Sequence, residues 1–465
     1  MPTLKKTMFR EYDLRGRETP DELNDTSMYF IGRGFGTFLQ KRKVNAAIVG
    51  HDARATSESF HKNVIDGLTE CGIDVIDIGT ITTPMGYWAQ YYFKIKGLVV
   101  VTASHNPVGW NGVKLGSGLS YTLLTKELQE VYDIIKDEKF TNGKLGSVRK
   151  ENIEAEYVKD LLSRAKITKK FKILLNTGNG TAGPICTRLL KKTGSEIVEH
   201  FTNVDPAYPN YTPNPDGTAM MEDTGKQTVK NKCDFGFAFD GDGDRLGLVD
   251  EKGSIIWPDR YIILLSRLVL SKHPGAKIVF DVKVSEALPE DIKAHGGIPI
   301  MWKTGHSHIK AKLTVEKAAM AGEMSGHIFF VDDFYGFDDA IFAALKFLEY
   351  LSTQNKPLSQ IIADTPYYVS TPTIQVKTTD DDKYTIVNEL TKEFKNEGYK
   401  VVDINGARVY TENGWGLVRA SSNTPTLVLR FESKTLSDLE KIKALFKKKL
   451  DKFEVVDKDW DTSGN

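Results

Sequence analysis

Only three of the 465 residues are cysteine, Cys71, Cys186 and Cys233, and they lie far apart in the chain. Their spacing fits neither a zinc site nor a redox pair, and it gives no disulfide framework. Buried thiols in a reducing compartment are the expectation. Net charge is missing too: 62 Lys and Arg balance 62 Asp and Glu. No overall field therefore favours nucleic acid or an anionic membrane, and neither is expected as a partner. Long apolar runs are absent as well. The best, starting at Tyr261-Ile-Ile-Leu-Leu, is interrupted at Arg267, far short of a membrane span. The opening residues, MPTLKKTMFREYDLRG, carry charges where a signal peptide needs an apolar core. A cytoplasmic protein is expected. Low-complexity segments and strict repeats are lacking.

What is present is alternation. Short apolar runs (Ala46–Gly50, Gly72–Ile76, Lys172–Leu175, Lys277–Phe280) alternate with helical patterns through about residue 350, which predicts α/β domains. Ser57–Cys71 is one such helix, with Ser57 as its cap. Charged or Gly- and Pro-bearing stretches at 136–152, 250–259 and 353–372 read as linkers. They give domains at 1–145, 146–252, 253–362 and 363–465. The last piece differs in pattern. Extended runs at 373–376 and 427–431 precede a helix that a Ser437–Glu440 capping box opens, with Leu439, Ile442, Leu445, Phe446 and Leu450 on one face. Lys447, Lys448 and Lys449 read as its solvated end, and the whole as a small α+β domain. The loop 203–217 holds four prolines and reads as surface.

Four polar strings follow apolar runs or precede one. Gly97–Val101 is β-branched and unalternating, so it reads as a strand buried on both faces. Ser104 stands just past its end, before His105, Asn106 and Pro107, where open α/β sheets place ligands. Read locally, Ser104 is either a turn hydroxyl or a group poised for chemistry. Asp240, Asp242 and Asp244 follow the run Phe235–Phe239 on a glycine-loosened loop. Carboxylates at this spacing converge on one hard cation, and with Arg245 beside them they suit Mg²⁺ completed by a phosphate oxygen. An EF-hand loop does not fit, because Arg245 stands where that loop needs glycine, although Glu251 falls at its twelfth position. Glu323, Ser325 and His327, in Gly322–His327, suit a polyhydroxylated ligand. Arg419, Ser421, Ser422, Asn423 and Thr424 precede the run Leu427–Phe431 and offer a guanidinium fork with hydroxyls, a phosphate cradle. The bland alternatives are an accidental acidic loop, a loop histidine with its own partner, and an ordinary polar turn.

Two glycine strings read differently. Gly178–Gly183 spells a dinucleotide fingerprint, with Glu196 and Glu199 near the required spacing, but no hydride-transfer groups accompany it. A strand-to-helix turn explains it. Gly32-Arg-Gly-Phe-Gly36 lies in a helical pattern and reads as a close-packing face. Together, a serine able to carry phosphate, a magnesium site, a sugar-reading loop and a phosphate cradle are the parts of phosphoryl transfer to a sugar phosphate.

These residues resemble those of the α-D-phosphohexomutase family, particularly its bacterial phosphomannomutase/phosphoglucomutase branch. Thr102–Pro107 is similar to the family's phosphoserine loop, Asp240–Arg245 to its metal loop, Gly322–His327 to its sugar loop and Arg419–Pro425 to its phosphate loop. Further similarities lie at Phe9–Gly16, Asn111–Lys114, Asp281–Lys283 and Lys303–His306. The resemblance implies three similar α/β domains with mixed sheets and a smaller C-terminal α+β domain, each giving one loop to a central cleft. It implies a phosphorylated Ser104, and Mg²⁺ held by Asp240, Asp242, Asp244 and a phosphoserine oxygen. Glu323 and Ser325 would hold sugar hydroxyls, with Tyr12, Lys283, His306 and His327 also on the substrate. Arg419, Ser421, Ser422, Asn423 and Thr424 would bind the phosphate that is not transferred; Ser422 and Asn423 depart from the family's usual Asn or Gly, then Thr. Met324 resembles the glucose/mannose group, whereas the phosphoglucosamine branch more often has Gln.

The activity implied is reversible transfer between O1 and O6 of mannose or glucose phosphate, through a hexose 1,6-bisphosphate. Arg245, Arg15 and Lys114 would neutralise phosphoryl oxygens. His105, Lys114 and His327 are candidate general bases. Hexose phosphates are the expected small-molecule partners, and a monomer or dimer the expected state. Phosphoglucosamine mutase activity is the neighbouring alternative. A metal-dependent phosphohydrolase would share Ser104 and the aspartates but need no sugar loop. A non-catalytic sugar-phosphate binder would need Glu323 and Arg419 but not Ser104.

Overall fold

The computed structural model describes residues 4–422 and 424–460. Gly97–Val101 is buried along its whole length. It lies in a mixed sheet with the order Leu14–Arg17, Trp110–Gly118, Gly97–Val101, Ala46–His51, Asp74–Thr80, Val148–Lys150. Ala46–His51 pairs in parallel with both Gly97–Val101 and Asp74–Thr80, while Trp110–Gly118 runs antiparallel to its neighbours. Val148–Lys150 is a parallel edge strand inside the stretch read as a linker.

A second mixed sheet repeats the scheme. Glu196–His200, Lys172–Asn176 and Phe235–Phe239 are parallel, and Leu246–Asp250 and Ile255–Ile256 continue it antiparallel. In a third, Ile298–Trp302 and Met320–Gly322 flank Lys277–Asp281 in parallel. The last sheet is an antiparallel meander of Lys400–Val402, Ala407–Tyr410, Gly414–Ala420 and Thr426–Ser433, with Ile374–Lys377 also on Thr426–Ser433. Helices Lys383–Asn396 and Leu436–Leu450 cover it through Leu390, Phe394, Ile442 and Phe446. The fold is α/β throughout, with an α+β end.

The chain forms two compact units. One holds the residues up to Pro258 with Ser325–Ser359; the other holds Asp259–Met324 and the residues from Gln360 onward. The three cysteines are free and buried, as expected. Among the described residues no helix is long and apolar enough to cross a membrane.

Three local expectations need correction. The C-terminal helix is capped by Thr435, whose hydroxyl accepts from Asp438 N at 3.1 Å, so the cap lies two residues before the Ser437–Glu440 box. Ser57 does not cap the helix Ser57–Glu70; its hydroxyl is drawn to Asp52 Oδ1 at 2.5 Å. Lys449 is buried between Glu393 and Glu397, at 2.8 and 2.6 Å, rather than solvated.

The glycine string in Asp25–Lys41 does allow close packing. A Cβ on Gly32 would lie 2.4 Å from Val64 O, and one on Gly67 2.2 Å from Tyr29 O, so this helix and Ser57–Glu70 meet backbone to backbone. Gly32→Ala should lower the melting temperature, since overpacking costs about 1–3 kcal/mol and outweighs the helix-propensity gain of about 1 kcal/mol. An unchanged melting temperature would contradict this packing.

Candidate active site

Ser104 sits three residues beyond its strand with φ of +50°, a left-handed conformation that a residue with a Cβ adopts at a cost. Its N–H donates to Thr102 Oγ1 at 2.8 Å, and its hydroxyl donates to Asp240 Oδ2 at 2.6 Å. His105 Nδ1 lies 3.1 Å from the same hydroxyl oxygen. This serine is therefore more than a turn hydroxyl: it faces the acidic loop directly.

Asp240, Asp242 and Asp244 are fully buried, with one oxygen of each within 4.8 Å of the others. Glycine makes the loop possible. A Cβ at Gly241 would lie 2.4 Å from Ser104 O, and Gly243 has φ of +75°. Asp240 Oδ1 accepts from the backbone N–H groups of Asp244 and Arg245, each at 3.1 Å. Asp242 Oδ2 accepts from Thr83 Oγ1 at 2.6 Å and Thr102 Oγ1 at 3.1 Å, whereas its Oδ1 has no hydrogen-bond partner among the described residues. A buried, unpartnered carboxylate oxygen inside a three-carboxylate cluster fits a hard divalent cation.

Protein cations already face the cluster. Lys114 Nζ lies 2.7 Å from Asp244 Oδ2 and 3.9 Å from Asp242 Oδ2. Burial alone would lower the Lys114 pKa, but Asp244 and Asp242 hold it well above the usual lysine value. Burial would likewise raise Asp244, yet Lys114, His327 and Arg245 hold it well below the carboxylate range. Asp240 goes the other way. Burial, then repulsion from Asp244 and Asp242, pushes it well above that range. Of the coupled pair, Asp240 is thus the carboxyl that takes up a proton more readily than Asp244. Burial pushes His105 well below the usual histidine value, and Arg245 adds to this, so its imidazole is neutral.

His327 joins this cluster. Its Nε2 lies 3.4 Å from Asp244 Oδ1 and accepts from Arg245 Nε at 3.4 Å; its Nδ1 lies 2.9 Å from Ser325 Oγ. Arg15 is buried and paired with Asp13 at 3.0 Å, and its charge acts on His105. Tyr12 acts on Arg245. Ser104, His105, Lys114, Arg245, Arg15, Tyr12, Ser325 and His327 all belong to the first unit.

Lys283, His306 and Glu323 belong to the second unit and gather at the C-terminal ends of its parallel strands. Asp281, closing its strand, accepts from Thr304 Oγ1 at 2.8 Å and Met324 N at 3.0 Å, and Lys283 Nζ lies 3.6 Å from it. Buried Glu323 accepts from Gly305 N at 2.5 Å, beside the helix that His306 opens. Met324 is buried, with Sδ 2.9 Å from Arg430 Nη1. Arg419 is buried on the strand Gly414–Ala420. Its Nη2 donates to Ser422 Oγ at 3.2 Å, while its Nε has no hydrogen-bond partner among the described residues. Ser421 Oγ accepts from Thr424 N at 3.2 Å and from its hydroxyl at 2.8 Å. Asn423 lies outside the described residues. The dinucleotide reading gains nothing: Glu199 is paired with Lys191 at 2.7 Å and Glu196 with Lys172 at 3.1 Å.

Sequence reasoning missed Thr83, Thr102 as a ligand of Asp242, and the Asp52–Arg54 pair. The last had a signal: His51-Asp-Ala-Arg54 also closes an apolar strand with a polar string.

Models of four successive domains match. These are phosphoglucomutase/phosphomannomutase alpha/beta/alpha domain I at residues 6–142, domain II at 155–253, domain III at 257–368 and the C-terminal domain at 374–449. The chain belongs to the phosphoglucomutase/phosphomannomutase family. A phosphomannomutase/phosphoglucomutase of Pseudomonas syringae pv. tomato is 39% identical over 451 residues, covering 97% of this chain and 96% of that protein. A phosphoglucomutase of Neisseria gonorrhoeae is 37% identical over 450 residues, covering 96% and 97%. The crystal structure of a family protein from Burkholderia thailandensis, 37% identical, superposes with a TM-score of 0.91 over 97% of this chain and 98% of that one.

The raised Asp240 fixes the sign of a pH effect. A carboxyl whose pKa is higher folded than unfolded gives stability at low pH that is lost as pH rises through the folded value. Metal-free protein should lose stability as pH rises above the usual carboxylate range, and Mg²⁺ should restore it. Calorimetry should find Mg²⁺ affinity rising with pH and then levelling, with proton release on binding. Asp242→Asn should weaken Mg²⁺ binding and leave metal-free stability level or higher, since repulsion falls. Binding independent of pH, or equal in the variant, would contradict the triad as ligand set.

Proposed function

We propose that this protein interconverts the 1- and 6-phosphates of mannose and glucose, with Ser104 as the phosphoryl carrier and a hexose 1,6-bisphosphate as intermediate. The observation that carries this reading is the 2.6 Å bond from the Ser104 hydroxyl to Asp240, inside a buried carboxylate triad. Full-length relatives named for both activities support the pair of sugars. The domains are drawn near 1–145, 146–252, 253–362 and 363–465, with the edge strands Val148–Lys150 and Ile255–Ile256 carrying the first two sheets a few residues past those bounds, and each domain would contribute one functional loop.

Asp240, Asp242 and Asp244 would hold Mg²⁺, which supplies divalent charge beside the phosphoserine oxygens. Lys114, Arg245 and Arg15 are suited to hold the oxygens of the transferring group, because charge spreads over them in the transition state. A sugar hydroxyl loses its proton as it attacks phosphorus. Lys114, held as a cation by Asp244, is the poorest acceptor, which leaves the imidazoles His105 and His327. Ser325 orients the second of these through Nδ1. Tyr12, Lys283, His306 and Glu323 are assigned to the sugar. Arg419, Ser421, Ser422, Thr424 and Asn423 are assigned to the phosphate that stays in place. Once the bisphosphate has turned over, the same groups hold its other end.

Two measurements test this. Intact mass should show an adduct of about 80 Da on Ser104, the mass of a phosphoryl group. Ser104→Ala should lack the adduct and nearly all mutase activity. Full activity in that variant would remove Ser104 from the mechanism, and release of inorganic phosphate in place of isomerisation would make the protein a phosphohydrolase.

Arg419→Ala should act on KM. Its contact is with the non-reacting phosphate, so it is similar in ground and transition states. Loss of a charge-assisted bond of about 1.5–3 kcal/mol should raise KM strongly, with Ser104 phosphorylation and Mg²⁺ affinity little changed. Arg419→Lys should rescue in part, keeping charge without the fork. An unchanged KM would remove Arg419 from the substrate.

A further inference from the structure

Ser104 holds its left-handed backbone while its carbonyl lies close against Gly241 of the acidic loop, where a Cβ would come within 2.4 Å of it. That carbonyl is received by Arg54. Arg54 Nη2 donates to Ser104 O at 2.8 Å and to Asn106 O at 2.6 Å; Nη1 donates to Pro107 O and Trp110 O, each at 3.1 Å. One buried guanidinium therefore ties four carbonyls spread over the whole turn from Ser104 to Trp110. Its planar fork suits this task, since it presents donors in fixed directions.

Arg54 is itself held from several sides. Its Nε lies 3.3 Å from Asp52 Oδ2, and its backbone N–H donates to Asp52 Oδ1 at 3.0 Å. Asp52 Oδ1 also accepts from Ser57 Oγ, whose oxygen accepts from Asn111 Nδ2 at 3.0 Å. Asp52 N donates to Val101 O at 2.9 Å, which docks the segment on the end of the Ser104 strand. The Arg54 guanidinium lies 5.3 Å from the Tyr208 ring centroid, within cation–π range. Its terminal nitrogens are thus bonded to backbone carbonyls, and its buried Nε faces Asp52 as an ion pair.

We propose that Arg54 is a positioning residue for phosphoryl transfer: by gripping the carbonyls of residues 104, 106, 107 and 110 it holds Ser104 in the strained conformation that aims its hydroxyl at Asp240. A strained residue persists only where its surroundings over-determine it. Here Thr102 fixes the N–H side of Ser104 and Arg54 the carbonyl side. This rests on the reading of Ser104 as the phosphoryl carrier. Arg54 acts on backbone carbonyls of the turn and not on the carboxylate triad, so its loss should leave substrate binding intact and misplace the reacting oxygen.

The test uses the full chain with Arg54→Lys, which keeps the charge and the Asp52 partner but meets fewer carbonyls, and Asp52→Asn, which loosens the anchor. For glucose 1-phosphate, kcat in Arg54→Lys should fall roughly 10- to 100-fold, the scale of a misplacement of about 1 Å. KM should stay within about twofold. Phosphorylation of Ser104 by glucose 1,6-bisphosphate should slow by a similar factor, with Asp52→Asn intermediate. Hydrogen exchange of residues 103–110 should quicken in both variants. That last readout does not depend on what Ser104 carries. If wild type bears no phosphate while exchange still quickens, the carrier reading fails and the grip stands. Unchanged exchange in both variants, unchanged kcat, or a raised KM at constant kcat would each overturn the proposal.

Discussion

Three carboxylates crowded into a buried loop repel one another, and much of the first unit is arranged around that repulsion. Lys114 and Arg245 offset two of the charges, and the excess, with burial, raises the pKa of Asp240 next to Ser104. Thr83 and Thr102 donate to Asp242, and two backbone N–H groups donate to Asp240. Each donor lowers the cost of the cluster without neutralising it. A divalent cation would complete the balance and then over-neutralise it, which is the condition under which a phosphate dianion on Ser104 becomes favourable. On the proposed reading, this loop is where a cation and a phosphate on Ser104 would be coupled.

The topology explains why the functional strings fall where they do. Gly97–Val101, Ala46–His51, Phe235–Phe239, Lys277–Asp281, Ile298–Trp302 and Met320–Gly322 all run in parallel with a neighbour, and each ends in polar residues. Parallel strands have both faces covered by helices, so their carboxyl ends are where side chains from several loops can meet. The chain passes from one unit to the other between Met324 and Ser325. It splits the string Gly322–His327 so that Glu323 remains with Lys283 and His306, while His327, bonded to Ser325, faces Arg245 and Asp244.

Much of this was legible in sequence because the chemistry sits in short strings of distinctive side chains. The alternating aspartates declare themselves by type and spacing, whereas Ser104 reads locally either way and is singled out by the family resemblance. Arg54 declares itself in neither way, since it acts on backbone carbonyls that every residue carries; only its place after a buried strand marks it. Thr83 is hidden for a similar reason: its partner Asp242 lies 159 residues away. Local signals misled where two solutions compete. Ser437–Glu440 satisfies the capping pattern, but Thr435 with Asp438 satisfies it two residues earlier, and the Phe446 face then meets the sheet. Lys449 looked solvated because its partners, Glu393 and Glu397, come from another helix. Met324, whose resemblance bears on sugar choice, is packed on Arg430, a burial no single sequence reveals.

The most direct test is a rapid-quench single turnover. Phosphorylated enzyme, mixed in excess with Mg²⁺ and glucose 1-phosphate, should lose phosphate from Ser104 and form an equal amount of glucose 1,6-bisphosphate before any glucose 6-phosphate accumulates. Glucose 6-phosphate forming while the phosphate on Ser104 stays in place, or inorganic phosphate appearing in place of bisphosphate, would contradict the account.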